Sequence, residues 1–262
     1  YLGLRLASAL AMKKYEVKVS YRTKAPKFDI NNVSYFPCQL SNGRLDAGKD
    51  LFDADRLVIC IPPGFKSEVA QFYPTHIRRL VEKASSTGVK QVVFTSSIGI
   101  YPNIGVFTEK SEFSLTTDKQ QTLFDAERAV IDGRLKYTQV LRLAGLIGDG
   151  RHPGNFNLKL AASSHWQRVN MVMIDDVVQA MFALIQNPNT PQQIYNLVAP
   201  HHPTKQSFYR FAKQLLRQPC GELFSEKVNE ASKTVLGECI ERETAFRYGH
   251  TDLFRALGKL TS

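Results

Sequence analysis

The feature that most constrains this chain is a short apolar run over residues 91–95 (QVVFT) that ends abruptly in Ser96 and Ser97. β-Branched and aromatic residues without polar alternation are typical of a parallel strand that helices cover on both faces. Open α/β sheets bind ligands just beyond the carboxyl ends of such strands. The run therefore predicts a central strand that delivers two serine hydroxyls to a ligand cleft.

Strand-like and helix-like patterns alternate along the chain before and after this run. Apolar residues at helical spacing indicate helices over residues 2–12, 69–87 and 123–131. Short apolar or alternating runs indicate strands over residues 16–21, 57–61, 91–95 and 138–143. Helices of this length between strands are typical of right-handed βαβ units. The sequence therefore predicts the α/β class, as a Rossmann-type doubly wound parallel sheet with a small C-terminal α/β substrate-binding lid.

The rest of the chain is less regular. We expect loops over residues 103–120 and 144–154, short strands over residues 169–173 and 193–197, and a mostly helical tail from Pro203. A helix is expected to begin at Asp175 and Asp176, whose carboxylates complement its dipole, and Asp175 is a candidate cap. We place the nucleotide-binding core at residues 1–150. Residues 151–262 are expected to hold the last core strands, their helix and a small substrate-binding region.

Composition excludes several classes of protein. The longest apolar stretches are much shorter than the roughly 18 residues that span a bilayer, so no membrane segment is expected. The start of the chain lacks the pattern of a secretion signal. The four cysteines lie far apart without a Cys-x-x-Cys pair, which argues against a zinc site and a disulfide framework (Cys38, Cys60, Cys220 and Cys239). The expected compartment is a reducing cytoplasm, and no metal is assigned.

The formal net charge of +10 raises the question of an acidic partner. Basic residues are concentrated near the start of the chain, and the others are scattered among acids without interleaved aromatic residues. A nucleic-acid binder would concentrate them on one face. Solvated surface, or attraction of a phosphorylated small-molecule ligand, is therefore favoured over nucleic acid.

The first residues fit the end of a dinucleotide-binding turn. Such folds open with a strand, a G-x-G-x-x-G turn and a helix whose N-terminus holds the pyrophosphate. Tyr1, Leu2 and Gly3 lead directly into a helix, so Gly3 matches the third glycine, which permits close packing of helix on strand. We expect the first strand and two further glycines to precede Tyr1; the alternative is a fold that begins differently.

The end of the second predicted strand indicates which coenzyme fits. An acid there would bind the ribose hydroxyls of NAD, whereas basic residues accommodate the extra phosphate of NADP. Here the strand is followed by Arg22, Thr23 and Lys24, with no acid. NADP is therefore favoured over NAD, with Arg22 at the 2′-phosphate and Thr23 or Lys24 assisting. The alternative for Arg22 is an uninvolved surface charge.

The segment from Phe94 to Tyr101, with its Phe-Thr-Ser-Ser and Ile-Tyr, resembles the active-site strand of extended short-chain dehydrogenases, the nucleotide-sugar epimerase and dehydratase family. The resemblance implies that Ser97 polarises a carbonyl beside a nicotinamide ring, with Ser96 as its neighbour. Tyr101 occupies the family's aromatic position but is not its acid–base tyrosine. The turn at Pro62 and Pro63 is similar to the family's turn along the coenzyme, although it could simply stop a strand.

One part of that family pattern is missing. The family carries a Tyr-x-x-x-Lys pair on the helix after the serine strand, in which the lysine lowers the pKa of the tyrosine. Counting back from Glu127 puts Lys119 at the tyrosine position and Leu123 at the lysine position. The literal pair at 209 and 213 is attributed to chance and helix packing. The groups that could replace the tyrosine are Lys119, Asp118, Tyr101 and His152.

A second motif narrows the resemblance. The loop over residues 150–154 (GRHPG), together with the serine strand and the missing pair, is most similar to the bacterial YeeZ-like branch, and the similarity extends over nearly the whole chain. The resemblance implies that Arg151 and His152 lie where substrate binds; for His152 the alternative is loop structure. It also makes a homodimer plausible.

The sequence is compatible with two functions. The first is an NAD(P)-binding oxidoreductase or epimerase-like enzyme that acts on a hydroxyl or carbonyl compound, with a nucleotide-sugar-like substrate among the candidates. The alternative is a catalytically silent NADP-sensing regulatory or binding protein, analogous to regulators that keep this fold and lose the tyrosine. The missing pair brings the second function nearly level with the first.

Overall fold

The computed structural model describes residues 1–26, 30–65, 68–148, 150–156, 166–219 and 231–260. The helices are α1 Leu2–Met12, α2 Tyr73–Ser86, α3 Asp118–Ile131, α4 Ile174–Gln186, α5 Lys205–Leu215, α6 Cys239–Glu243 and α7 Leu253–Lys259. The strands are β1 Val17–Tyr21, β2 Val33–Ser41, β3 Arg44–Ala47, β4 Arg56–Ile59, β5 Gln91–Ser97, β6 Gly105–Phe107, β7 Tyr137–Leu143, β8 Gly145–Ile147, β9 Met171–Met173, β10 Ile194–Leu197 and β11 Lys233–Val235.

A parallel sheet of four strands, in the order β10-β7-β5-β4, forms the centre of the molecule. The first six residues of β5 are buried, as the unbroken apolar run predicts. Successive side chains of a strand point to opposite faces. Val92 and Phe94 pack in one apolar cluster with α2 and α3, whereas Val93 packs in another with α1 and α4. The predicted α/β class with helices on both faces of a parallel sheet is confirmed.

A smaller sheet carries β1, β2 and β3. β1 and β2 are parallel, whereas β2 and β3 form an antiparallel hairpin. Asn42 and Gly43 connect the hairpin with positive φ angles of 48° and 74°. An Asn-Gly pair between alternating runs is a strong local signal for such a turn. The sequence analysis did not predict this hairpin, although the signal was present.

Strand pairing corrects two expected loops and adds one short strand to the helical tail. The expected loop over residues 103–120 contains β6, which pairs in parallel with β11 of the tail that was expected to be mostly helical. The expected loop over residues 144–154 contains β8, which pairs with β9. These strands have three residues each. Their hydrogen bonds come from distant partners, so the local sequence carries little signal for them.

The expected cap of α4 is also wrong. Met173 precedes the helix, no side chain caps it, and Asp175 lies within its first turn. Asp175 instead lies 3.6 Å from the guanidinium of Arg5, while its neighbour Asp176 is buried. Both carboxylates still complement the helix dipole, as expected.

Asp176 fastens the C-terminal segment to the core. Its carboxylate accepts hydrogen bonds from the backbone amides of Gly249, at 2.9 Å, and His250, at 3.2 Å. Nearby, the side-chain amide of Asn170 donates to the Lys233 carbonyl and accepts from the Val235 amide. The segment that carries β11 is thus held by partly buried polar contacts as well as by apolar packing. Of the helices that the structure describes, none is long and apolar enough to cross a membrane.

The C-terminal segment packs closely around Gly237. A methyl group there would lie 2.7 Å from the carbonyl oxygen of Val198 and 2.7 Å from the Tyr248 hydroxyl. Gly237→Ala should therefore lower the free energy of unfolding in urea by about 1–3 kcal/mol. Gly48→Ala is the control, because Gly48 has open space around it and a φ of −60°, and it should change that energy by less than about 1 kcal/mol. Equal losses in the two variants would contradict the close packing.

Candidate functional site

The two serines at the end of β5 have different surroundings. Ser96 is buried, and its hydroxyl donates to Glu127 Oε1 of α3 at 2.5 Å. Ser97 is partly exposed, and its Oγ accepts the backbone N–H of Gly99 at 3.0 Å. That contact caps the short 3₁₀ turn at residues 98–100. No acceptor for the Ser97 hydroxyl proton lies among the described residues, so this proton can be donated to a ligand oxygen.

A buried ion pair lies beneath the serines. Arg142 of β7 forms a fork against Glu127, with Nη2 2.7 Å from Oε2 and Nε 3.1 Å from each carboxylate oxygen. Their side chains are 6% and 2% exposed. Burial lowers the pKa of Arg142, but the hydrogen bonds and charge of Glu127 outweigh it and raise the pKa overall. The pair therefore stays charged, with most of its hydrogen-bonding capacity satisfied inside the protein.

Tyr101 extends this network. Its hydroxyl accepts from Arg142 Nη1 at 2.8 Å and donates to Asn196 Oδ1 of β10 at 2.8 Å, and its side chain is buried. Burial raises the pKa of Tyr101, and the Arg142 charge opposes the rise without cancelling it. The structure thus places Tyr101 in the interior rather than in hydrogen-bonding contact with Ser97. An acid–base role for this phenol would require the network to rearrange.

Lys119 lies in the first turn of α3 and is exposed. Its ammonium lies 5.0 Å from the ring centre of Phe65, just after the turn at Pro62 and Pro63. The end of β4 and the start of α3 therefore meet at the same edge of the sheet. The tyrosine of the literal pair at 209 and 213 is buried in α5, and burial raises its pKa to about 12. This environment is consistent with the packing role that the sequence analysis gave it.

The start of α1 meets the glycine-rich loop. The guanidinium of Arg151 lies 5.9 Å from the ring centre of Tyr1, which joins a residue expected to bind coenzyme to one expected to bind substrate. Leu2 is buried. A methyl group on Gly3 would lie 3.9 Å from Cys60 Cβ, an ordinary contact. The expectation that Gly3 packs closely on a strand before Tyr1 stays a prediction.

Of the remaining predicted site residues, those after β1 are exposed and His152 is buried. Arg22, Thr23 and Lys24 are exposed just after β1. His152 is 8% exposed, and its Nδ1 accepts the Gly154 amide at 3.1 Å. Burial lowers the pKa of His152, which favours the neutral ring. Its Nε2 has no partner among the described residues.

Lys233 is a site residue that the sequence analysis missed. Its ammonium donates to the carbonyl oxygens of Ile98 and Tyr101, at 3.3 Å each, from a position 135 residues after Ile98. It therefore reaches the turn that directly follows Ser97. The only sequence signal was a lysine in a short alternating run, which does not indicate such a distant contact.

The fold is shared with solved NAD-dependent epimerases and dehydratases. The chain has the Rossmann-type fold of the NAD-dependent epimerases and dehydratases. It matches MoeE5, solved with UDP-glucuronic acid and NAD, at a TM-score of 0.79 and 18% identity, covering 100% of this chain and 94% of that one. UDP-glucose 4-epimerase from Thermotoga maritima gives 0.75 at 14% identity over 100% and 94% of the two chains. Human epimerase family protein SDR39U1, solved with NADPH, gives 0.70 at 15% over 100% and 96%.

One relative by sequence is more specific. The chain is similar to Protein YeeZ from Escherichia coli strain K12, with 28% identity over 258 residues, which cover 96% of this chain and 94% of YeeZ. No protein-family profile matches the chain. The resemblance to the YeeZ-like branch, inferred from the serine strand and the GRHPG loop, is confirmed.

The buried ion pair makes a testable difference to stability. Arg142→Met leaves Glu127 as an uncompensated buried charge and should lower the free energy of unfolding by about 3–5 kcal/mol. Arg128→Met is the matched control on α3, because Arg128 makes a half-exposed pair with Asp132. Its loss should stay below about 1 kcal/mol. Urea unfolding of both variants measures the difference, and equal losses would refute a dominant role for the buried pair.

Proposed function

We propose that this protein is an NAD(P)-binding oxidoreductase or epimerase-like enzyme of the extended short-chain dehydrogenase type. Its substrate would be a hydroxyl or carbonyl compound, and nucleotide-sugar-like compounds are candidates. The main support is Ser97, a partly exposed hydroxyl at the carboxyl end of the central strand with a proton left to donate. Similar folds occur in MoeE5, solved with NAD and a UDP-sugar, and in SDR39U1, solved with NADPH.

Coenzyme binding is proposed for residues 1–150. The first turn of α1 has no acidic residue and no side-chain cap, so its amides can bind a pyrophosphate. Tyr1 precedes this turn, and Leu2 and Gly3 are its first two residues. The adjacent contacts would come from Pro62 and Pro63, whereas Ser96, also predicted at the coenzyme, has its hydroxyl engaged by Glu127. At the far end, exposed basic residues after β1 would favour NADP over NAD by binding its 2′-phosphate (Arg22, Thr23 and Lys24).

Substrate binding is proposed for the edge of the sheet and for residues 151–262. Ser97 would donate its proton to the substrate oxygen, while a bound coenzyme would supply hydride chemistry. Lys119 and Tyr101 are the catalytic candidates beside it, and the exposed ammonium of Lys119 can approach a ligand without rearrangement. Arg151 and His152 would contact the rest of the substrate, with the buried Nε2 of His152, which has no partner among the described residues, as a hydrogen-bonding group.

The coenzyme part of the proposal is tested by calorimetry on the full-length protein with NADP⁺, NADPH, NAD⁺ and NADH. We expect saturable binding, tighter for the phosphorylated pair. Arg22→Gln should weaken NADPH binding about 10–100-fold, because a hydrogen bond between charged groups contributes about 1.5–3 kcal/mol, and should leave NADH binding nearly unchanged. Arg44→Gln, at an exposed arginine on β3, is the control. No heat with any of the four coenzymes would end the proposal.

The alternative is a catalytically silent NADP sensor. It is favoured by the buried, fully engaged hydroxyl of Tyr101 and by buried Leu123, which counting places at the lysine position of the family pair. Such a protein would bind NADP but convert no substrate, and a partner protein would bind it in a coenzyme-dependent way.

Ser97→Ala separates the two functions. For an enzyme, loss of the hydroxyl should lower kcat about 10²–10³-fold, the typical effect of removing one donor to a developing oxyanion, with NADPH affinity unchanged. Turnover is measured with a panel of alcohols, carbonyl compounds and nucleotide sugars. No turnover by the unmodified protein, together with saturable NADPH binding, would favour the sensor.

A further inference from the structure

Three lysines from separate elements lie around the 3₁₀ turn at residues 98–100, called here the serine turn because it directly follows Ser97. This lysine cluster consists of Lys119 in α3, Lys205 at the start of α5 and Lys233 in β11. Lys119 lies one helical turn before Leu123, whose side chain packs 3.5 Å from a methyl group built on Gly99 in the turn after Ser97. Burial, and then the charges of Lys119 and Lys205, lower the pKa of Lys233. The cluster is therefore a single region of positive charge assembled from distant parts of the chain.

Hydrogen bonds fix the positions of Lys205 and Lys233. The Lys205 amide donates to the Gln167 carbonyl at 2.8 Å, and the Lys205 ammonium donates to Gln167 Oε1 at 2.7 Å. The Arg168 amide donates to Ser232 Oγ at 2.7 Å, next to Lys233. Residues 167–168 thus connect the start of α5 to the start of β11. The position of Lys233 is set in addition by the Ile98 and Tyr101 carbonyl oxygens.

No carboxylate balances this charge within the described part of the chain. The ion pairs there do not include any of the three lysines. Like charges repel, and burial penalises an unpaired ammonium. The neutral carbonyl and amide oxygens around Lys233 and Lys205 offset only part of that cost. An anion bound between the lysines would offset the remainder.

We propose that the lysine cluster binds a phosphate group of the substrate that reacts at Ser97; this inference rests on the proposed function. Ammonium groups act as point charges toward phosphate, whereas planar carboxylates pair best with the arginine fork. Three ammonium groups on separate elements suit a dianionic group with several oxygens. Because Lys233 binds the two carbonyls on either side of the turn after Ser97, the phosphate lies beside the reacting oxygen.

The test uses the full-length protein and inorganic pyrophosphate, which carries no base or sugar. Titration calorimetry at low salt should show saturable binding. Lys119→Gln and Lys205→Gln should each weaken it about tenfold or more. Lys233→Gln should have the same effect if the variant folds. If that variant does not fold, Lys119→Gln still tests the site, because Lys119 is exposed. Lys90→Gln is the control, because Lys90 is exposed and pairs with Asp55, and should bind pyrophosphate as the unmodified protein does.

The outcomes separate this inference from the proposed function. Unchanged pyrophosphate binding in Lys119→Gln and Lys205→Gln would overturn the phosphate site. An equal loss in Lys90→Gln would also overturn it, because the effect would then be nonspecific charge. A parallel loss of NADPH affinity in the cluster variants would assign the lysines to the coenzyme and refute the substrate assignment. Lysine-dependent pyrophosphate binding without any coenzyme binding would support the site and refute the proposed function.

Discussion

The ion pair between Glu127 and Arg142 is the interaction on which the rest of the site depends. Two charges at 2% and 6% exposure are stable only when their hydrogen bonds are satisfied. Ser96 and Tyr101 supply further partners, from the central strand and from the turn after it. Asn196 carries the network on to β10. One charged pair therefore fixes α3, three neighbouring strands and the serine turn relative to one another.

The two-residue period of β5 gives its serines different roles. Because neighbouring side chains of a strand point to opposite faces, Ser96 is committed to the interior network while Ser97 lies at the edge of the sheet. The strand end thus presents one hydroxyl with a free proton, and the ammonium of Lys233 contacts the turn that follows it.

The core of the fold could be predicted because its signals are local. The apolar run of β5 and the helical period of α1 are each complete within a dozen residues. The Asn42–Gly43 turn was equally local but was overlooked. Lys233 could not be predicted in the same way, because its contacts lie on residues far away in sequence. The network around Glu127 was not predicted: Glu127 served only as the reference position for motif counting, and nothing in the sequence showed that it would be buried or that Arg142 would be its partner.

The attachment of β11 and Asp176 has a consequence for biosynthesis. A ribosome synthesises the chain from its N-terminus, and a domain folds as a unit once its segments have emerged. β6 and the carboxylate of Asp176 are made well before their partners at β11, Gly249 and His250. The serine turn therefore acquires its final support only after β11 has been made, and a nascent chain stalled before that point would display a strand edge and the Asp176 carboxylate without their partners.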